Sequence, residues 1–237
     1  MKKEGQLTHC YFVAGTDTDV GKTLIAAGLL CAAGQQGKRT LAIKPVAAGC
    51  EVTPDGLRNG DANLLLAHMT TDLAYSQVNP VAYEPPIAPH IAAQQLGQAL
   101  QLAPLVEHCR DVLTMPADFA VIEGAGGWRL PLNDHEYLSA LPQALNLPVI
   151  LVVGMRLGCL NHALLTAEAI RRDGLQLAGW VANCVDKQMS CFDENLQTLK
   201  DALEAPLLGV VPWIEGVSEP VSAAAGYLEL AALDNNR

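Results

Sequence analysis

Residues Cys10 to Thr23 read CYFVAGTDTDVGKT, and Leu24 to Ala33 continue as LIAAGLLCAA. The opening run is apolar and stops at Gly15, while the closing run is built mostly of good helix formers, so the order is strand, glycine loop, helix. In that order Gly15, Thr16, Asp17, Thr18, Asp19, Val20, Gly21, Lys22 and Thr23 present backbone N–H groups, and the positive end of a helix, to a phosphate. Lys22 adds a mobile cation and Thr23 a hydroxyl suited to Mg²⁺. Five residues rather than four separate Gly15 from Gly21, so Thr16 stands at the usual first glycine position and the loop is a variant.

Working outward, a second strand is predicted over Thr40 to Val46 (TLAIKPV), ending near a glycine. Residues 50–90 differ: polar turns, a short helix over Ala62 to Met69 and a run of prolines. An excursion of that length between sheet elements suits a cover over a site better than a linker. A helix is predicted from Ile91 to Leu113, interrupted by Pro104. Further buried strands are expected over Phe119 to Ile122, Pro148 to Val153, Leu177 to Val181 and Leu207 to Val211, with helices at about 162–172 and 191–204 between them. Strand and helix thus alternate. The expected fold is α/β, a doubly wound, mostly parallel sheet with helices on both faces, as in P-loop NTPases. No repeat or linker divides the 237 residues, and one domain over 1–237 is expected.

Composition agrees with that frame and excludes other classes. Half the residues are hydrophobic and 17% are charged, against roughly 25% in an average soluble domain, so much of the chain is interior and none of it reads as disordered. A formal charge of −10 gives no general attraction for nucleic acid or anionic lipid, so any anionic ligand needs a local site. Neither nucleic acid nor membrane is expected as a partner. The seven cysteines lack C-x-x-C spacing and mostly lie in apolar runs, which points to reduced thiols and a cytoplasmic protein. The residues before Cys10 offer no apolar leader segment, and no apolar run reaches the roughly 18 residues of a membrane span.

Three further residues carry chemistry. Glu123 ends the strand AVIE and precedes Gly124-Ala125-Gly126-Gly127, where the chain can pass close to phosphate; it is either a metal carboxylate or a solvated strand end. Asp61 is a second candidate carboxylate, or an ordinary turn residue. Lys44 sits in an apolar strand, where an unpaired ammonium would cost several kcal/mol, so it is a second phosphate or substrate cation, or a strand-end lysine reaching water. The six histidines show no metal-ligand spacing, and Cys159 and Cys184 have no evident base partner.

Taken in order, GTDTDVGKT (15–23), KPVAAG (44–49), TPDGLRNGDA (53–62), APH (88–90), EGAGGW (123–128), LPVILVVG (147–154), LGCLNHALLT (157–166), GWVAN (179–183) and PLLGVVPW (206–213) resemble the dethiobiotin synthetase family over most of the chain. The resemblance implies an ATP-dependent, Mg²⁺-requiring ligase that closes a ureido ring from 7,8-diaminopelargonic acid and CO₂. By the matching motifs Lys22 holds the β and γ phosphates. Thr23, Asp61 and Glu123 hold Mg²⁺, Lys44 faces the carbamate and γ-phosphate, and Thr18 lies beside the transferred phosphoryl group. Asn183 and Pro212 fall at the nucleotide, Gly126 at the substrate, and Asn161 at the substrate carboxylate across a homodimer interface. One departure is Ala48, where many members carry a Ser or Thr hydroxyl. Two rival readings share the phosphate loop: a partitioning-type ATPase switch, and a non-catalytic relative. A switch usually carries a signature lysine early in its loop, where this chain has Thr16-Asp17-Thr18, and often a basic amphipathic tail, whereas AAAGYLELAALDNNR has only its final Arg.

Overall fold

The computed structural model describes residues 9–234; the expectations drawn from residues 1–8 and from the last three residues of the tail lie outside the described residues. The strands are β1 (His9–Gly15), β2 (Thr40–Ile43), β3 (Val46–Ala48), β4 (Glu51–Thr53), β5 (Gly56–Arg58), β6 (Val81–Tyr83), β7 (Phe119–Glu123), β8 (Val149–Met155), β9 (Leu177–Cys184) and β10 (Leu207–Val211). The helices are α1 (Lys22–Gln35), α2 (Gly60–His68), α3 (Tyr75–Val78), α4 (Pro89–Gln95), α5 (Leu102–Val112), α6 (Ala140–Leu145), α7 (Cys159–Arg172), α8 (Phe192–Ala202), α9 (Pro220–Ala225) and α10 (Ala231–Asp234).

Six strands form one parallel sheet in the order β10-β9-β8-β1-β7-β2. Alternation along β1 explains the two layers: Phe12 enters a core with Ile43, Ile122 and Leu151, while Val13 enters the opposite one with Ile25, Leu29 and Val152. Because helices cover both faces, β7 and β8 are buried along their whole length, which is why they read as continuous apolar runs. From β1 the chain first builds β2 and β7 on one side, then crosses to β8, β9 and β10 on the other. The order reverses at β1, and a ligand crevice is expected outside the carboxyl ends of the strands there. Among the described residues no helix is long and apolar enough to cross a membrane.

Two expectations are corrected. TLAIKPV is not one strand: β2 ends at Ile43, and β3 pairs instead with β6 in a separate two-stranded parallel sheet. Lys44 N–H donates to the Val78 carbonyl (2.8 Å), and Pro45 has no N–H to continue the ladder. The helix expected from Ile91 to Leu113 is two helices. The break falls at Gly97, where φ is +67°, not at Pro104, which sits in the first turn of α5, where an N–H would have no intrahelical partner. The hairpin β4–β5 and helix α6 went unforeseen.

The amino ends of β2 and β7 are tied by Arg39, whose Nε and Nη2 donate to the Asp118 carboxylate at 3.0 and 2.9 Å. Those side-chain bonds, then the bond from Arg39 N, hold the Asp118 carboxyl down at about 2. A depressed carboxylate contributes stability above its unfolded pKa and loses it as pH falls through the folded value. Asp118→Asn is therefore expected to melt below wild type at pH 6, with the gap closing near pH 2. Thermal melts at both values check this, and a gap independent of pH would show that the pair adds nothing through charge.

Candidate active site

The loop between β1 and α1 is shaped for close approach. Gly21 caps α1 at φ 84°, and a Cβ there would lie 2.2 Å from the Asn183 amide nitrogen, so only glycine fits. No side chain caps α1 and its first turn holds no acidic residue, which leaves the N-terminal amides and dipole uncompensated by protein. The loop is braced from three directions. Asp17 accepts from Thr18 N (2.8 Å) and from Arg156 Nη2 (2.7 Å), and Asn183 donates to the Val20 carbonyl (2.9 Å). Lys22 folds back so that its Nζ donates to the Asp17 carbonyl (2.9 Å). Burial, and then the nearby Lys44 charge, lower the Lys22 ammonium to about 8.

Beside this loop lies a charge cluster built on the buried Lys44 and Glu123. Lys44, 3% exposed, donates to Glu123 Oε1 (2.7 Å) and to the Gly124 carbonyl (3.2 Å), and pairs with Asp61 Oδ2 (2.9 Å). It does not reach water, which disposes of the strand-end alternative. Burial opposes its charge, but Glu123 and then Asp61 outweigh that and raise its pKa. Burial likewise works against the Asp61 carboxylate, and Lys44, with help from Thr23 and Lys22, holds it below the usual range. Glu123 is fully buried and not a solvated strand end. Its Oε1 accepts from Thr23 Oγ1 (2.8 Å) as well as from Lys44, whereas its Oε2 is buried with no hydrogen-bond partner.

Thr18, Asp19, Gly21, Lys22, Thr23, Lys44, Asp61, Glu123 and Gly126 all line one cleft of about 890 Å³. Pro86, Ile87, Ala88 and Pro89 also line it, so part of the proline-rich stretch faces the site. Ala48 lines the cleft and brings no hydroxyl to it. Asn183, Asn161 and Pro212 are not among the residues that line this cleft. Asn183 is next to last in β9, and its side-chain amide braces the phosphate loop. Asn161 is exposed, outside the cleft, and is the third residue of α7, whose N-cap is Gly158. Pro212 is exposed just past β10.

Two supporting residues were missed. Asn59 caps α2, accepting from Asp61 N (3.0 Å) and Ala62 N (3.2 Å), and so fixes where Asp61 stands. Its signal was present, an asparagine two residues before a carboxylate at a helix start. Arg156 follows the apolar strand β8 much as Lys44 follows β2, and the same reasoning would have found it.

A parallel sheet with a glycine loop at its central strand, a lysine and threonine at the head of the next helix, and carboxylates beside them defines a P-loop nucleotide-binding protein. Comparison narrows the class. The septum site-determining protein MinD of Pyrococcus horikoshii, solved with Mg-ADP, shares the fold: TM-score 0.52 and 18% identity, covering 95% of this chain and 89% of that one. A family model described as an AAA domain matches residues 9–221. The ATP-dependent dethiobiotin synthetase BioD of Pseudomonas aeruginosa is 57% identical over 223 residues, covering 94% of this chain and 97% of the relative. That of Marinobacter nauticus is 53% identical over 231 residues, covering 96% and 99%. The chain belongs to the dethiobiotin synthetase family.

Proposed function

We propose that this chain is an ATP-dependent ligase that closes the ureido ring of dethiobiotin from 7,8-diaminopelargonic acid and CO₂, releasing ADP and phosphate. The observation that carries the reading is the Lys44 ammonium, buried between Asp61 and Glu123 and set beside Lys22 and Thr23 in a single cleft. A reaction that crowds a triphosphate, a carbamate and a carboxylate needs fixed cations despite a net charge of −10.

The donor set suits Mg²⁺. Thr23, Asp61 and Glu123 offer only hard oxygen atoms, and the partnerless Glu123 Oε2 is an orphaned acceptor beside them. Three His, Cys, Asp or Glu grouped for a metal are not found among the described residues, which fits an ion that keeps water and phosphate as its remaining ligands. When bound there, Mg²⁺ supplies charge neutralisation for the phosphate oxygens.

The chain's own residues do the rest. The loop amides and Lys22 hold the triphosphate in ground and transition states alike. One substrate amine adds to CO₂ and loses a proton, giving a carbamate that Lys44 faces. The carbamate oxygen attacks the γ-phosphorus and ADP leaves, with Thr18 beside the transferred group. The second amine then attacks the carbamoyl carbon of the mixed anhydride, expelling phosphate and closing the ring. Incorporation of radiolabelled CO₂ with the diamine and ATP tests this. ATP hydrolysis without incorporation would favour the switch reading, and neither activity would favour the non-catalytic relative.

Asn161 supports a shared site in a homodimer, since it stands outside its own cleft. Leu157 nearby is 96% exposed and Leu165 on the same helix 57%, an apolar surface suited to a second copy. If Asn161 contacts the carboxylate of a substrate bound mainly by the partner, Asn161→Ala raises the KM for the diamine about tenfold with ATP binding nearly unchanged. At a diamine concentration well below the raised KM, mixing Lys22→Ala with Asn161→Ala subunits then gives hybrids more active than either variant alone. Diamine kinetics identical to wild type would remove the residue from the site. The seven cysteines, all free thiols, support a cytoplasmic setting.

A further inference from the structure

The segment after Glu123 forms the cleft wall facing Thr18, and glycines supply most of it; the first, Gly124, is tied by its own backbone, its N–H donating to the Val13 carbonyl (3.0 Å) and its carbonyl accepting from Lys44 (3.2 Å). Gly126 has φ +59°, and a Cβ on it would lie 3.9 Å from Thr18 Oγ1. A Cβ on Gly124 would stand 2.9 Å from the Phe12 ring, and one on Gly127 3.8 Å from the Thr16 carbonyl. The run therefore lies directly on β1 and the phosphate loop. What fixes its far end is the pair that follows. Trp128 packs its ring edge-on against Phe12 at 6.0 Å, and its Nε1 donates to Asp173 Oδ2 at 2.9 Å. Arg129 grips the same carboxylate with both Nη atoms, at 2.6 and 2.7 Å.

Asp173 is oddly placed for a residue serving its own helix. It is the C-cap of α7, directly after Arg171 and Arg172. The negative end of the helix dipole disfavours a carboxylate at that position. Both its oxygens are instead committed to two consecutive residues of another segment, 44 and 45 positions away. A bidentate guanidinium pair with an added indole N–H defines direction as well as distance.

We propose that Asp173 is a positioning residue for the reaction: through Trp128 and Arg129 it seats the glycine run against Thr18 and so sets the wall on which the diamine lies. This rests on the ligase reading above. Losing the clamp lets the wall lift away from the phosphate loop, which misplaces the diamine while the loop amides and Lys22 still hold ATP.

The test is steady-state kinetics for the diamine with ATP affinity measured separately by calorimetry, in Asp173→Ala, Asp173→Asn and Trp128→Phe. Asp173→Ala is expected to raise the KM for the diamine about tenfold and lower kcat, with the ATP Kd within about twofold of wild type. Asp173→Asn restores part of the loss, because its carbonyl still accepts from Trp128 but cannot balance Arg129. Trp128→Phe, which keeps the ring and removes only the N–H, raises the diamine KM by a smaller factor. Should Asp173→Ala fail to fold, the other two carry the comparison. A diamine KM unmoved in the folded variants, or ATP affinity falling in step with it, overturns the proposal. Wild-type chain that turns over no diamine overturns the parent reading instead, and this inference with it.

Discussion

Lys44→Ala is expected to bind ATP nearly as well as wild type yet turn over roughly 10²–10³-fold more slowly, the range seen when one preorganised donor to a developing charge is removed. Lys22→Ala is expected to lose affinity and rate together. The difference follows from where each ammonium is held. Lys22 arises from the first residue of α1 and reaches back over the phosphate loop, so its charge meets the triphosphate before and during reaction. Lys44 arises from the end of the edge strand β2 and is held by Glu123, Asp61 and the Gly124 carbonyl, beside the loop rather than in it. Its removal has a second consequence. The fully buried Glu123 keeps only the Thr23 hydroxyl as donor, and breaking a buried pair costs about 3–5 kcal/mol. Lys44→Ala should therefore melt well below wild type without Mg²⁺ and recover more than wild type when Mg²⁺ is added. Single-turnover rates, calorimetric ATP binding and melts with and without Mg²⁺ check each part. Equal losses of ATP affinity in the two variants would sink the distinction.

The strand, loop and first helix were legible because their signals are local: an apolar run, a glycine, a lysine-threonine pair and a helix-forming run follow one another without interruption. The same held for β7 and β8, whose burial on both faces leaves no polar residue to break the run. Where partners are distant, local reading failed. Val46–Ala48 looks like a continuation of β2, and only its pairing with Val81–Tyr83, some 35 residues on, shows that it belongs to another sheet. Gly97 ends α4 by its backbone angle, while Pro104, the residue that invited the break, is harmless in a first turn.

In the site, Lys44 and Glu123 announced themselves as charges in apolar surroundings, since burial requires a partner and the only question is which. Asn183 could not be read that way. An amide at a strand end serves a base or a loop equally well, and here it donates to the Val20 carbonyl. Asp173 is an ordinary charge in the sequence, and only the fold shows that it faces Trp128 and Arg129.

Glu123→Gln is expected to raise the Mg²⁺ concentration for half-maximal activity by at least about tenfold, because a neutral amide is a poor ligand for a hard cation. The geometry makes this residue more sensitive than Asp61. Oε1 already accepts from Thr23 and Lys44, so a glutamine must place its carbonyl there and turn its NH₂ toward the position of Oε2, the atom that has no hydrogen-bond partner. That puts two N–H donors where a cation would sit. Flipping the amide instead sets them against the Thr23 and Lys44 donors. Neither orientation satisfies a residue with no access to water. Asp61 is different, since its side chain is 45% exposed and water can stand in for a lost oxygen, so Asp61→Asn should shift the Mg²⁺ requirement less. Lys44 retains Asp61 as a partner in Glu123→Gln, so the fold should survive and the effect be read on metal. Direct Mn²⁺ binding in the presence of nucleotide, followed by electron paramagnetic resonance, gives a readout independent of turnover. Unchanged metal binding in both variants would reduce the two carboxylates to counter-ions for Lys44.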